Sequence, residues 1–300
     1  MIEQYLEQLH AHLADADPAL VQDALYDAEE YLRAEMEGIS AEETEARFAE
    51  VVDAYGGPQE IADAYRETEV TVNRALKVPE PGIRRGPLAR FFGVLADPIA
   101  YGSLFYLFLS FVTGILYFTL ATTMLGTGFG LLIVWVGAFI LLAFFAMVRA
   151  IGFAEGRMVE GLLGVRMPRR PRALLRQADF GQRLKHWFTD RRTWASVLYM
   201  LLQLPLGTLY FSLLVTWISV SATAVAYPFL QAAVDYPLIQ WGQYGYYLEP
   251  WAQPLVAVAG AVGLVLTLHI AKALGKMHGA YAKAMLVGTY SDTPDAARAA

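Results

Sequence analysis

Catalysis would require a nucleophile with a base, a metal cluster or a loop that cradles phosphate, and few residues of this 300-residue chain could supply one. The absence of cysteine removes thiol nucleophiles, thiolate metal ligands, disulfides and palmitoylation. His10 and His12 stand two apart on a helical pattern, which points them to different faces. That is a poor geometry for a shared metal and an ordinary one for surface histidines. Gly126-Thr127-Gly128-Phe129-Gly130 is glycine-rich, but it falls in a turn between two apolar stretches, out of reach of a cytoplasmic nucleotide. His269 lies beside Lys272 near the end of another apolar stretch, which favours an interfacial position over a proton relay. There is no phosphate-binding P-loop, no HExxH and no GxSxG. The chain is expected to be non-enzymatic, with no cofactor, no metal ion and no direct contact with nucleic acid.

The elements that would carry any other function fall into two unlike modules. Residues 1–70 hold 19 acidic and 3 basic side chains, whereas residues 71–300 hold 10 and 20. The first module reads as short amphipathic helices. Ile2, Tyr5, Leu6, Leu9 and Leu13 recur at helical spacing, and Asp17-Pro18 is an N-cap with proline at the first helical position. Ser40 with Glu43 has the capping-box pattern, Gly56-Gly57 is a stop, and Pro58 restarts the helix. The acidic runs are most simply a solvated face. Met1 to Asp15 lacks the basic and apolar regions of a secretory signal, so this module is expected in the cytoplasm. Lys77 to Leu88, with three prolines and two glycines, is a domain boundary, and Arg84, Arg85 and Arg90 before Phe91-Phe92 suit a membrane interface.

The second module accounts for the 56% hydrophobic composition and mean hydropathy of +0.37. Apolar stretches at about 101–124, 129–148, 195–218 and 254–271 are each near the ~20 residues a helix needs to cross a bilayer. Residues 149–192 carry eleven Lys or Arg against four acids, while the turn at 125–128 and the loop at 227–253 carry no basic residue. Basic loops stay in the cytoplasm, so both termini and the middle loop are expected there. The expected division is 1–76 for the helical domain, 77–96 for the linker, 97–290 for the four-span domain and 291–300 for a tail.

The membrane module repeats itself. Residues 97–123 and 190–216 align without gaps with ten of 27 positions identical, among them Asp97/Asp190, Tyr106/Tyr199, Gly114/Gly207, Tyr117/Tyr210 and Phe118/Phe211. The expected fold class is therefore all-α, a small helical domain plus a four-helix bundle built from two parallel helical-hairpin repeats. Asp97 and Asp190 fit as N-caps, Gly114 and Gly207 as points of close helix approach, and Tyr106 and Tyr199 as shared anchors. The hydroxyls of Thr119, Thr123, Ser212, Thr216 and Ser219 could line a cavity but more simply bridge helices or bond to carbonyls. Pro205 has no counterpart in the first copy and should kink its helix, which makes it a candidate hinge with Gly207. Gly156-Arg157-Met158 matches Gly275-Lys276-Met277 at an offset of 119, so the second copy would be 26 residues longer. The excess falls in the outward loop, where Tyr236, Trp241, Tyr244, Tyr247 and Trp251 form either an aromatic belt or a ligand-facing lid. Arg166, Arg169, Arg170, Arg172 and Arg176 are candidate contacts for anionic lipid headgroups.

From Met1-Ile2-Glu3-Gln4-Tyr5 to Gly56-Gly57-Pro58-Gln59-Glu60-Ile61-Ala62, the first module resembles the HAAS family of small helical signalling domains. That resemblance implies protein–protein signalling with a cytoplasmic partner such as a PadR-like transcription regulator. The second resembles the sensor domain found ahead of histidine kinases in actinobacteria. The carrying residues are Asp190-Arg191-Arg192-Thr193-Trp194, Tyr199, Leu204-Pro205-Leu206-Gly207, Asp97-Pro98 with Tyr106, and Glu155 with Leu162-Leu163-Gly164. Gly156 departs from the charged residue expected after the glutamate. No kinase segment follows, so output is expected through the acidic module, which is itself expected to dock on the basic middle loop. The leading expectation is a membrane sensor or adaptor that relays an envelope, lipid or small-molecule cue. A small transporter, a lipid-handling protein and an accessory subunit are the alternatives, and the duplication permits a homodimer.

Overall fold

The computed structural model describes residues 1–40, 43–76, 86–169 and 188–287, with side chains omitted for residues 70–76. Four helices make the N-terminal domain: α1 (Ile2–His12), α2 (Pro18–Glu35), α3 (Thr44–Tyr55) and α4 (Pro58–Leu76). Asp17 caps α2 by accepting the Ala19 N–H at 2.9 Å, as its sequence position predicts. The capping box at Ser40 is not used. Helix α3 starts at Thr44 with Glu43 as N-cap, and the Thr44 hydroxyl instead donates to the Ser40 carbonyl at 2.7 Å. Tyr5, Leu9, Leu13, Leu20, Ala24, Ala28, Leu32 and Val51 form the core, and Tyr5 donates to the Gly56 carbonyl at 2.7 Å.

A short α5 (Pro87–Phe92) and a 3-10 turn (Gly93–Ala96) lead to α6 (Pro98–Gly130), α7 (Val136–Leu163), α8 (Arg191–Val234) and α9 (Gln253–Leu286). These last four are long and apolar enough to cross a membrane. Each outruns the apolar stretch that announces it. The first turn lies at 131–135 rather than 125–128, with Trp135 at a φ of 62°. Helix α7 runs fifteen residues past the expected end of its span. Helix α8 runs as one helix from Arg191 to Val234 with Pro205 and Pro228 inside it. Beyond it β1 (Ile239–Trp241) and β2 (Tyr244–Tyr246) form a small antiparallel hairpin, with Trp241 paired to Tyr244.

Asp97 and Asp190 cap α6 and α8 by accepting the N–H of Ile99 at 3.0 Å and of Arg192 at 3.1 Å. Burial alone would raise the Asp97 carboxyl. Lys272, at 2.6 Å, and the amides of Ile99 and Ala100 outweigh it and hold the group below its usual range.

The two copies meet at a reciprocal crossing. A Cβ on Gly114 would stand 2.7 Å from the Gln203 carbonyl oxygen, and one on Gly207 would strike the Ser110 carbonyl. Gln203 and Ser110 are themselves 93 positions apart, as Gly114 and Gly207 are. At the hairpin turns a matching contact is made within each copy, Gly137 on Gly128 and Gly260 on Ser221. Those pairs place the second helices of the copies 123 positions apart, not 119, so the second copy is 30 residues longer, not 26. The earlier match was one helical turn out of register. Thr119, Thr123, Ser212, Thr216 and Ser219 are all exposed on the outside of the bundle and neither line a cavity nor bridge helices.

Overpacking costs about 1–3 kcal/mol. Gly114→Ala and Gly207→Ala should therefore each lower the thermal midpoint in detergent. Gly161→Ala, in α7 with nothing within 4 Å of the added carbon, should leave it unchanged or raise it. Equal midpoints for all three would contradict the crossing.

Candidate functional site

The bundle interior holds a carboxylate. Glu155 is 0% exposed on α7, in a stretch the sequence reading assigns to a loop. A side chain leans toward its helix N-terminus, and three tyrosines from the first halves of the two repeats converge on it. Tyr106 from α6 and Tyr199 from α8 donate to Glu155 Oε1, the latter at 2.9 Å. Tyr117, also from α6, donates to Oε2 at 2.7 Å. The hydroxyls of Tyr106 and Tyr199 lie 3.3 Å apart. Each is the ninth residue of its helix, so α6 and α8 run in the same direction from a common end, as parallel repeats require.

On the other side of this tyrosine pair stands His278 of α9, 1% exposed. Its Nε2 is 2.9 Å from the Tyr106 hydroxyl and 3.2 Å from that of Tyr199, and its Nδ1 is 3.4 Å from the Tyr210 hydroxyl. One proton assignment satisfies these contacts. The Tyr210 hydroxyl donates to Nδ1, Nε2–H donates to the tyrosine pair, and both of those hydroxyls donate to the carboxylate.

Glu155 and His278 are 123 positions apart, the register found at the turns, and Tyr117 and Tyr210 are 93 apart. Each copy thus closes its own hairpin with a tyrosine, Tyr117 on Glu155 and Tyr210 on His278. The duplication has placed an acid and an imidazole at equivalent positions on either side of a shared tyrosine pair. Beside them Gln203, one turn beyond Tyr199, is fully buried, with its side-chain amide against the Tyr106 hydroxyl but short of full hydrogen-bond geometry at either Oε1 or Nε2. A buried amide left so costs about 1–3 kcal/mol per unmade bond.

The N-terminal domain packs on the ends of the helices that bear this network. Ala19 of α2 is buried in one cluster with Val159, Leu163, Met167, Ala282 and Val287. Around it Lys283 pairs with Asp17, Arg166 pairs with Asp23 at 3.6 Å and Glu69 at 3.0 Å, and the Arg169 N–H donates to Asp23 at 2.8 Å. The expected docking of the acidic domain on the basic segment is visible in these pairs.

Compared with known protein families, residues 106–286 match the one described as Putative sensor. The chain belongs to that family. No curated protein and no solved structure is matched. The sensor domain so delimited opens at Tyr106 and takes in every residue of the network, and the membrane-spanning helices accord with it.

Among the residues singled out in sequence, the sensor domain brings Tyr106 and Tyr199 together at its centre, Gly114 and Gly207 at the crossing, and Asp97 and Asp190 at helix starts. Pro205 faces outward on α8. Tyr236, Trp241, Tyr244, Tyr247 and Trp251 are all exposed on the hairpin and its flanks and do not converge on one site. Tyr247 donates to the Asp235 carbonyl at 3.1 Å, which ties the hairpin to the end of α8. Arg166 and Arg169 face the N-terminal domain and Glu160 rather than lipid. Arg170, Arg172 and Arg176 lie outside the described residues. His269 Nε2–H donates to the Phe91 carbonyl, 2.9 Å away, and the imidazole stacks on the Phe91 ring, which agrees with an interfacial place. Sequence reasoning missed the roles of Glu155, Gln203 and His278. Tyr117 and Tyr210, by contrast, stood among the repeat identities.

A hydrogen bond to a charged group contributes about 1.5–3 kcal/mol. Tyr117→Phe should lower the thermal midpoint by that increment, and Tyr106→Phe, which also loses the His278 contact, by more. Gln203→Met, which removes unspent polar atoms at similar volume, should not lower it. A midpoint lowered by Gln203→Met as far as by Tyr117→Phe would show that the amide is engaged.

Proposed function

We propose that this protein is a non-enzymatic membrane sensor in which the Glu155–tyrosine–His278 network sets the packing of α7 and α9, and the N-terminal domain reads that packing. One observation carries the reading: the two helices that hold the acid and the imidazole are the two that hold the docking surface. Glu155, Val159 and Leu163 are spaced by four along α7, and so are His278 and Ala282 along α9. Each set lies along one helix face, so a shift of either helix at the network is carried directly to the residues that bury Ala19. Ionisable groups inside a membrane bundle are expensive and mark functional sites. The buried Gln203 amide beside Tyr106 is a second polar group to which that phenol can turn, as a two-state element needs.

The resemblance of the acidic domain to HAAS signalling domains, and the basic residues of the middle segment, support placing that domain and both termini in the cytoplasm. There the domain would hand the signal to a protein partner, such as a PadR-like regulator, when it leaves the bundle. The cue acts from the envelope, from lipid or as a small molecule.

Carbodiimide condenses a carboxylate with a lysine only where the two are in contact, and Asp17 and Lys283 are. The full chain in nanodiscs should yield an Asp17–Lys283 linked peptide by mass spectrometry, and less of it at high salt. Glu155→Gln, which leaves one acceptor for three phenols, should change the yield at least threefold. Equal yields from folded wild-type and Glu155→Gln protein would refute the relay.

A further inference from the structure

Beyond the end of α8, strands β1 and β2 pair Ile239 with Tyr246, Gln240 with Gly245 and Trp241 with Tyr244. Side chains alternate across a strand, so Ile239, Trp241, Tyr244 and Tyr246 share one face of the hairpin, and Gln240 and Gly245 share the other. The second face lies against the hairpin's own flanks, since a Cβ on Gly245 would stand 3.0 Å from Pro237 and 3.2 Å from Tyr247. The first face is left open by the described residues, its four side chains being 57–78% exposed. A two-stranded hairpin is marginal in water unless one of its faces is packed. A contiguous exposed apolar face marks contact with a protein or a membrane.

Position favours the membrane. Thr223 is the counterpart of Gly130, where α6 ends, so α8 runs on for eleven residues, to Val234. At the rise of an α-helix that is about 16 Å past the level of the first turn. Phe229 and Val234 are exposed on this extension, as are Leu255 and Val258 on the adjoining start of α9. No Asp, Glu, Lys or Arg occurs from Thr193 to Val234 or from Pro250 to Ala271. The lipid-facing surface of the two helices therefore continues to the root of the hairpin. The hairpin is held there by Gln231 Nε2, which donates to the Leu248 carbonyl at 3.1 Å, and by the Leu248 N–H, which donates to the Tyr227 hydroxyl at 3.3 Å.

Composition and charge agree. Tryptophan and tyrosine join an apolar ring to a single polar atom, which suits the layer between acyl chains and water. The open face carries no charge, and the two acids of the loop, Asp235 and Glu249, lie outside the strands.

We infer that this hairpin is a membrane anchor, lying in the headgroup layer of the leaflet remote from the N-terminal domain. Its Ile239–Trp241–Tyr244–Tyr246 face lies against lipid, and its Gln240 side is turned to water. The hairpin leads into α9, the helix that carries His278, so a change of bilayer thickness at the anchor would move that helix. This consequence rests on the relay proposed above; the anchoring does not.

The chain has no cysteine, so Ile239→Cys and Gln240→Cys each give a single site for a spin label, on opposite faces of one strand. In the full chain in phosphatidylcholine nanodiscs, the ratio of collisions with oxygen to collisions with a water-soluble nickel chelate should be at least threefold higher at position 239 than at 240. The ratio should be the same at low and high salt, because the contact is uncharged. Equal ratios at the two positions would overturn the proposal. So would a label at 239 shielded from both reagents, as under a second copy or another protein, or a ratio that changes with salt. A second measurement keeps the strands intact. The emission lost in Trp241→Phe should be quenched at least threefold more by lipid with brominated chains than by aqueous iodide, and the reverse order would overturn the anchor. Neither readout involves the Asp17–Lys283 crosslink, so the anchor and the relay fail separately.

Discussion

A carboxylate sealed inside a membrane bundle is tolerable only when its lone pairs are met, and Glu155 is met by three phenols from two helices. That requirement organises much of the molecule. It needs Tyr106 and Tyr199 at one level, which needs α6 and α8 side by side in the same sense. That in turn needs the small residues at the crossing, because a side chain at position 114 or 207 would hold the helices too far apart for the phenols to reach. The glycines and the carboxylate are parts of one constraint.

Duplication explains why the network has the members it has. Two equal copies would have brought two equal groups to the shared tyrosine pair, and two buried carboxylates or two imidazoles would repel or leave donors unmatched. Glutamate in one copy and histidine in the other instead make a donor–acceptor chain that runs from Tyr210 to Glu155. The copies have diverged where a like pair would fail and have stayed alike at the tyrosines that serve both sides.

The N-terminal domain extends this arrangement outward. Its contact combines a small apolar patch centred on Ala19 with ion pairs that are partly exposed. Partly exposed pairs contribute little individually and weaken with salt. Each module also keeps a core of its own on either side of that contact.

Much of this was legible in the chain itself, for physical reasons that are local. Four apolar stretches must span because apolar length matches bilayer thickness. Asp97-Pro98 and Asp190 must start helices, and an ungapped repeat with shared Asp, Tyr and Gly must give like structures in like register. The charge division between residues 1–70 and the rest pointed to the docking later seen at Asp17, Asp23 and Glu69. The site was not legible to the same degree. A span read from hydropathy stops at the first charged residue, so α7 was cut at Arg149 and α9 before His278, and Glu155 was left in a loop. Only packing shows that those helices continue, with the charged residues turned inward. The second halves of the repeats, separated by a 30-residue difference, share too few residues to register by inspection. Sequence by itself determined what crosses the membrane and what repeats. Tertiary structure decided that an acid and a histidine 123 residues apart face one another, because burial and hydrogen bonding between distant segments leave no periodic trace along the chain.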